Sequence, residues 1–181
     1  MTEASLLELA GHQHGYFTAR QAAEDGLSRH ALNWRAKQGQ LVRVEYGLYR
    51  LAHWPPGTND DLYALQALAP FGTFSHETAL NLLGLSDIVP SEIHLTIPES
   101  SRLSRRAGIR LHRSRRAAQS DRQLRDGLWV STAARALLDC LRIGSDPDQL
   151  RAAVKEARDR AMLTRGDIDR LKTCPIFAAV L

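Results

Sequence analysis

The sequence predicts an α+β chain, and three observations predict it. Two helical segments, 19–24 and 29–38, are separated by a turn of about three residues. Two strand-like segments joined by a tight turn follow them directly. Farther on, polar–apolar alternation at 92–97 and 109–113 gives way to helical periodicity. The expected architecture is an N-terminal winged helix-turn-helix followed by a small α+β domain with a short sheet and C-terminal helices.

Each element has a local reason. Residues 4–11 read as an amphipathic helix with Leu6, Leu7, Leu9 and Ala10 turned inward. Thr18 is placed to accept from the free N–H groups of a helix built on Ala19, Arg20, Gln21, Ala22, Ala23 and Glu24. Gly26 ends that helix, because glycine enters the left-handed cap conformation cheaply. Leu27 fills the turn. Ser28 caps the next helix, Arg29 to Gln38, which Gly39 stops. Leu41–Val44 and Leu48–Leu51 are strands around the turn Glu45-Tyr46-Gly47. Residues 53–59 are rich in turn formers and read as a linker. The expected domains are therefore 1–54 and 60–181.

In the second domain, Asp60–Ala69 reads as a helix broken by Pro70-Phe71-Gly72. Ser75 caps a helix from His76 to Leu83. Residues 92–97 and 109–113 are half-buried strands, and Leu128–Val130 is a short third one. Ser131 and Thr132 open a helix from Ala133 to Leu141. Residues 147–162 and 165–172 supply two more, the last capped by Thr164. The apolar tail 175–180 reads as a docked terminus, a partner surface or the scar of a truncated gene.

Composition narrows the function classes. The chain has 181 residues, 44% of them apolar, enough for a packed core. No run is long and charge-free enough to span a membrane. The N-terminus carries acids early and no basic n-region, so no secretory signal is expected and the cytoplasm is the expected compartment. Cys140 and Cys174 are too few for a disulfide framework or a zinc cluster, and Cys140 reads as a core thiol.

The net charge is +4 and the isoelectric point about 9.4. Residues 55–100 hold no Lys or Arg, whereas 102–116 hold Arg102, Arg105, Arg106, Arg110, Arg113, Arg115 and Arg116 and no acid. Without these seven arginines the net charge would be −3. The basicity is local, which is the footprint of a surface for phosphate or an acidic partner. The bland alternative is an arginine-rich surface hairpin in a chain with only three lysines among 24 basic residues. Alternation puts Ile109 and Leu111 on the core face and sends Arg110 and His112 outward with the loop arginines.

On the second helix, Arg29, Asn33 and Lys37 recur at spacing four and share one surface. His30 and Trp34 flank them. Ala31, Leu32 and Ala36 form a thin apolar side. Arg, Asn and Lys offer hydrogen bonds to guanine, adenine and phosphate. Ser28 and the free N–H groups beside it suit a phosphate, and Arg43 and Arg50 on the wing suit the flanking backbone. A solvated polar face is the alternative. The turn spacing and the attached wing favour DNA.

Enzyme readings are weak. His12 and His14 lack a third ligand nearby and read as paired surface histidines. Ser75-His76-Glu77 are consecutive and cannot assemble as nucleophile, base and orienter. The strands carry only Glu92 as an acid and no lysine, so a metal-dependent nuclease centre is not expected. There is no glycine-rich phosphate loop. No catalytic residue, metal site or cofactor is expected.

Three blocks carry a family resemblance: GYFTARQAAEDGLSRHAL with GQLVRVEYGLYRL, then SHETALNLLGLSDIVPSEIHLTIP, then GIRLHR followed by GLWVSTAARALLDCL. Together they span roughly residues 10–145 and resemble the AbiEi-type antitoxins of type IV toxin–antitoxin systems. The resemblance implies a repressor whose winged helix binds inverted repeats in its own promoter. It also implies that the second domain counters a cognate nucleotidyltransferase-like toxin, functionally rather than through a stable complex. The expected partner is double-stranded DNA, with the protein a monomer in solution or a dimer on DNA, and no membrane. One departure is Arg35, where the family often has an apolar residue. The competing reading is a stand-alone winged-helix regulator with a ligand- or partner-sensing second domain, which would need an apolar cavity with convergent polar groups.

Overall fold

The computed structural model describes residues 3–87, 90–114 and 119–181. The chain forms two compact units, Met1–Phe71 with Asp126–Leu128 and Gly72–Arg125 with Trp129–Leu181.

The first unit runs α1 (Glu3–His12), β1 (Tyr16–Thr18), α2 (Ala19–Glu24), α3 (Arg29–Lys37), β2 (Leu41–Glu45), β3 (Leu48–Leu51) and α4 (Asp60–Leu68). Its antiparallel sheet has the order β1-β3-β2. Up to β3, this is the element order of a winged helix-turn-helix. Strand β1 is an addition to the sequence reading, since three residues are too few to display an alternation. Thr18 ends β1 and starts α2: its side chain accepts from the Gln21 N–H while the Gln21 side chain accepts from the Thr18 N–H. Gly26 takes φ +85° after α2, and the Leu27 N–H reaches the Ala22 carbonyl at 2.8 Å. Ser28 caps α3 by accepting from the Ala31 N–H at 3.1 Å.

The sheet is buried on both faces, and side-chain alternation sorts its residues between them. Phe17, Leu41, Tyr49 and Leu51 point to one side, where they meet Leu6, Ala10, Ala22 and Leu32 of the helices. Leu7 is 45% exposed, so the inward stripe of α1 is Leu6, Leu9 and Ala10. Tyr16 and Leu48 point to the other side, where they meet Ala67 and, beside it, Tyr63, Ala64 and Leu68. Helix α4 therefore belongs to the first unit, where the sequence reading opens its second domain with it. Its apolar face covers the outer side of the wing sheet, and Asp60 at its start pairs with Arg50 at 3.2 Å.

The second unit contains β4 (Thr73–Phe74), α5 (His76–Leu82), β5 (Ile93–Pro98), β6 (Ile109–Ser114), β7 (Arg122–Arg125), β8 (Leu128–Ser131), α6 (Ala133–Ile143), α7 (Pro147–Asp159), α8 (Arg165–Lys172) and α9 (Pro175–Ala178). The sheet order is β6-β5-β4-β8-β7. Strand β4 is antiparallel to β5 and parallel to β8, and β5 is parallel to β6. A parallel pair cannot be closed by a hairpin turn. The arginine-bearing segment 99–108 instead returns the chain to the start of β6. Arg113 fastens that return, donating to the carbonyls of Glu99 (3.3 Å), Ser101 (2.9 Å) and Leu103 (3.1 Å).

The helices of this unit bury Leu137, Cys140, Leu150, Val154, Leu171 and Phe177. Gly144 closes α6 at φ +79°, and Thr164 and Asp167 form a reciprocal cap on α8. The apolar tail is docked: Phe177 is fully buried, and Arg158 donates to the Val180 carbonyl at 2.7 Å. Among the described residues, no helix is long and apolar enough to cross a membrane.

Candidate nucleic-acid interface

Helix α3 presents five of the expected residues together. At 100° per residue, Arg29, Asn33, Lys37, His30 and Trp34 fall in one continuous arc of about 140°. All five are exposed. The remaining arc holds Leu32, fully buried, with Ala31, Arg35 and Ala36 half-buried. Arg35 thus sits half-buried in the inward half of the helix.

The wing completes a groove beside this arc. Leu41 pairs with Leu51 and Arg43 with Tyr49, so Arg43 emerges on the sheet face that carries α3. A register shift falls between Arg43 and Glu45, just before the turn. Ala19, Arg29, Asn33, Arg43, Tyr46, Gly47 and Tyr49 line a cavity of about 170 Å³. The Arg43 guanidinium lies over the Tyr46 ring at 5.7 Å. The fold brings Arg29, Asn33 and Arg43 to one concavity. Lys37, His30 and Trp34 continue the exposed arc outside its lining.

Arg50 is a correction. The sequence reading puts it beside Arg43 as a backbone contact. It pairs with Val42 across the hairpin, one position out of phase with the Arg43–Tyr49 pair, and faces α4. Its side chain is only 15% exposed, bonded to Asp60 and stacked 6.0 Å from the Tyr16 ring. Burial and the neighbouring Asp60 carboxylate push the Tyr16 phenol up to about 12.

Among the described residues, not every arginine of the second basic segment is free to meet a polyanion. Arg102, Arg105 and Arg110 are exposed. Arg113 spends its guanidinium on loop carbonyls, and Arg106 is half-buried in a bridge with Ile109. Arg115 and Arg116 lie outside the described residues. Arg105, Arg110 and Arg113 line a cavity of about 620 Å³ that also contains Glu92, Ile109 and Leu111.

The fold also assembles a group that sequence reasoning missed. His76 at the start of α5, His94 of β5 and His112 of β6 converge, with ligand-capable atoms within 4.8 Å of one another. His112 is half-buried against the other two rather than directed outward. Ser75 is fully buried and makes no side-chain cap to α5; its Oγ meets His76 Nδ1 at 2.9 Å and accepts from the Thr96 hydroxyl at 2.8 Å. Burial drives the His76 imidazole down to about 3 and lowers His94 and His112 as well.

No curated protein matches the chain. Residues 5–52 match the model of a family described as transcriptional regulator, AbiEi antitoxin. That match covers most of α1 and runs through β3, so the similarity to the family lies within the first unit of the chain.

Proposed function

We propose that this protein is a DNA-binding antitoxin that represses its own operon through an inverted repeat and counteracts a cognate nucleotidyltransferase-like toxin. The observation that carries the DNA-binding part is the convergence of Arg29, Asn33 and Arg43 on one open groove between helix and wing. Arg29 and Asn33 have the chemistry to read guanine and adenine edges in the major groove. Arg43, together with Ser28 and the N-terminal amides of α3, holds phosphates on either side. His30, Trp34 and Lys37 extend the contact along the same arc. Arg102, Arg105 and Arg110 offer a second polyanion surface that strengthens binding without reading sequence. Toxin neutralisation rests on the family match alone.

A gel-shift titration of the pure protein on its own upstream DNA tests the reading, with scrambled competitor at two salt concentrations. The expected result is a shift that survives the competitor and requires both half-sites. Loss of the shift to scrambled DNA would reduce the winged helix to a scaffold.

A further inference from the structure

A buried histidine is normally satisfied by a carbonyl, a carboxylate or a hydroxyl. In the second unit, His94 and His112 instead face each other nitrogen to nitrogen. His112 Nε2 lies 3.2 Å from His94 Nδ1. Two imidazole nitrogens bound about 2.0 Å from one tetrahedral ion stand about 3.3 Å apart. The ring centroid of His94 lies 5.2 Å from that of His112 and 5.3 Å from that of His76. His76 completes the set from a third element, and it does so in a left-handed conformation, φ +53°, that is strained for a non-glycine residue.

We propose that His76, His94 and His112 form a binding site for one divalent transition ion of the zinc class, with a fourth position open to water or an anion. Three donors and one free position are the zinc arrangement in which a bound water or substrate completes the tetrahedron. The nitrogen ligands favour zinc over calcium or magnesium, which take oxygen. An outer shell is already present: the Ser75 hydroxyl oxygen can take the His76 Nδ1–H while also accepting from Thr96, leaving His76 Nε2 for the ion. Half-buried His112 gives the ion its way in. Of the cations nearby, Arg135 is matched by Asp139 at 2.7 Å and Asp121 at 3.2 Å, while Arg110 opposes the ion and Glu77 and Glu92 favour it. The His76 and His112 rings stack at 3.7 Å, so loading turns the His76 ring off that stack.

The test uses the full chain without an affinity tag, stripped with chelator and titrated with Zn²⁺ and, separately, Co²⁺. The expected result is about one ion per chain, the strong visible bands of tetrahedral cobalt, and a higher melting temperature. His94→Gln and His112→Gln should each lower zinc affinity at least 100-fold, and Ser75→Ala about 10- to 100-fold. His14→Gln, outside the cluster, should leave the zinc affinity unchanged. If His94→Gln does not fold by circular dichroism, half-buried His112→Gln and Ser75→Ala decide. Binding far below one ion per chain, octahedral cobalt spectra, or full affinity in His112→Gln would overturn the proposal.

Discussion

Arg43 and Arg50 lie on neighbouring wing strands, and replacing each by alanine should damage different properties. Arg50 is 15% exposed and its partner Asp60 is 29% exposed. Breaking a fully buried pair costs roughly 3–5 kcal/mol, because the surviving charge is left without a partner. Water still reaches Asp60, so about 2 kcal/mol is the appropriate figure for Arg50→Ala. For a unit of this size, that lowers the melting temperature by on the order of 10 °C and the urea midpoint by about 1 M. Arg50→Met combined with Asp60→Asn should recover part of the loss, since neither charge is then stranded. The DNA affinity of whatever remains folded should keep its salt slope.

Arg43→Ala should do the reverse. Arg43 is exposed and its removal strands no buried charge. Stability should hold within about 0.5 kcal/mol. One lost phosphate contact per bound copy should reduce the slope of log affinity against log salt by about 0.9. Thermal melts of both variants and fluorescence anisotropy with labelled operator at four salt concentrations read all of these quantities. The reasoning fails if Arg50→Ala flattens the salt slope at unchanged melting temperature, or if Arg43→Ala melts early and leaves the slope alone.

Three other outcomes follow from the same geometry. Asn33→Ala should lose about 1–3 kcal/mol of binding on operators carrying one particular base pair and little on operators altered there, as measured on a panel of single-substitution sites. Arg105→Ala with Arg110→Ala should weaken binding to every sequence alike and lower the salt slope by up to about 2; a loss confined to one operator would contradict this. Cys140 is fully buried, and burial with nearby Glu77 pushes its thiol up to about 12, whereas Cys174 is half-exposed. Ellman's reagent at pH 8 should therefore titrate one thiol in the native protein and two in guanidinium, and two fast native thiols would refute the packing of α6.

What the sequence disclosed followed from local chemistry. Thr18, Ser28, Gly26, Gly39 and Thr164 are caps or stops whose residue types announce their conformations, and α2, α3 and α8 begin at the expected caps, with only α3 ending one residue early, at Lys37. The exposed arc of α3 was legible because helical spacing alone defines it. Long-range pairing was less accessible. Strands β1 and β4 have three and two residues, too short for an alternation to register. The parallel run of β5 and β6 cannot be read from a segment that resembles a hairpin. Arg50 could have been placed correctly: Tyr49 and Leu51 are the apolar pair of β3 that matches Leu41, so the same alternation sends Arg50 to the opposite face. His94 and His112 sat on readable strands, and the period-two pattern puts them on one face. The third histidine comes from a helix start whose placement depends on the β4–α5 turn, and no local pattern encodes that distance.

The arginine-rich segment shows why a charge count in a sequence overstates a binding footprint. Counterion release is gained only by cations free to neutralise phosphate. Arg113 is engaged with three carbonyls of the 99–103 return. Glu92 shares the cavity with Arg105 and Arg110 and cancels part of their field. Three exposed cations, Arg102, Arg105 and Arg110, remain among the described residues of that surface. Helix α3 and the wing offer Arg29, His30, Lys37 and Arg43 on exposed positions. Arg29, Lys37 and Arg43 equal in number the three exposed cations described on the arginine-rich segment, and the same helix adds residues that can read bases. Specificity and a large share of the salt dependence should therefore both map to the first 51 residues, where the family match also lies.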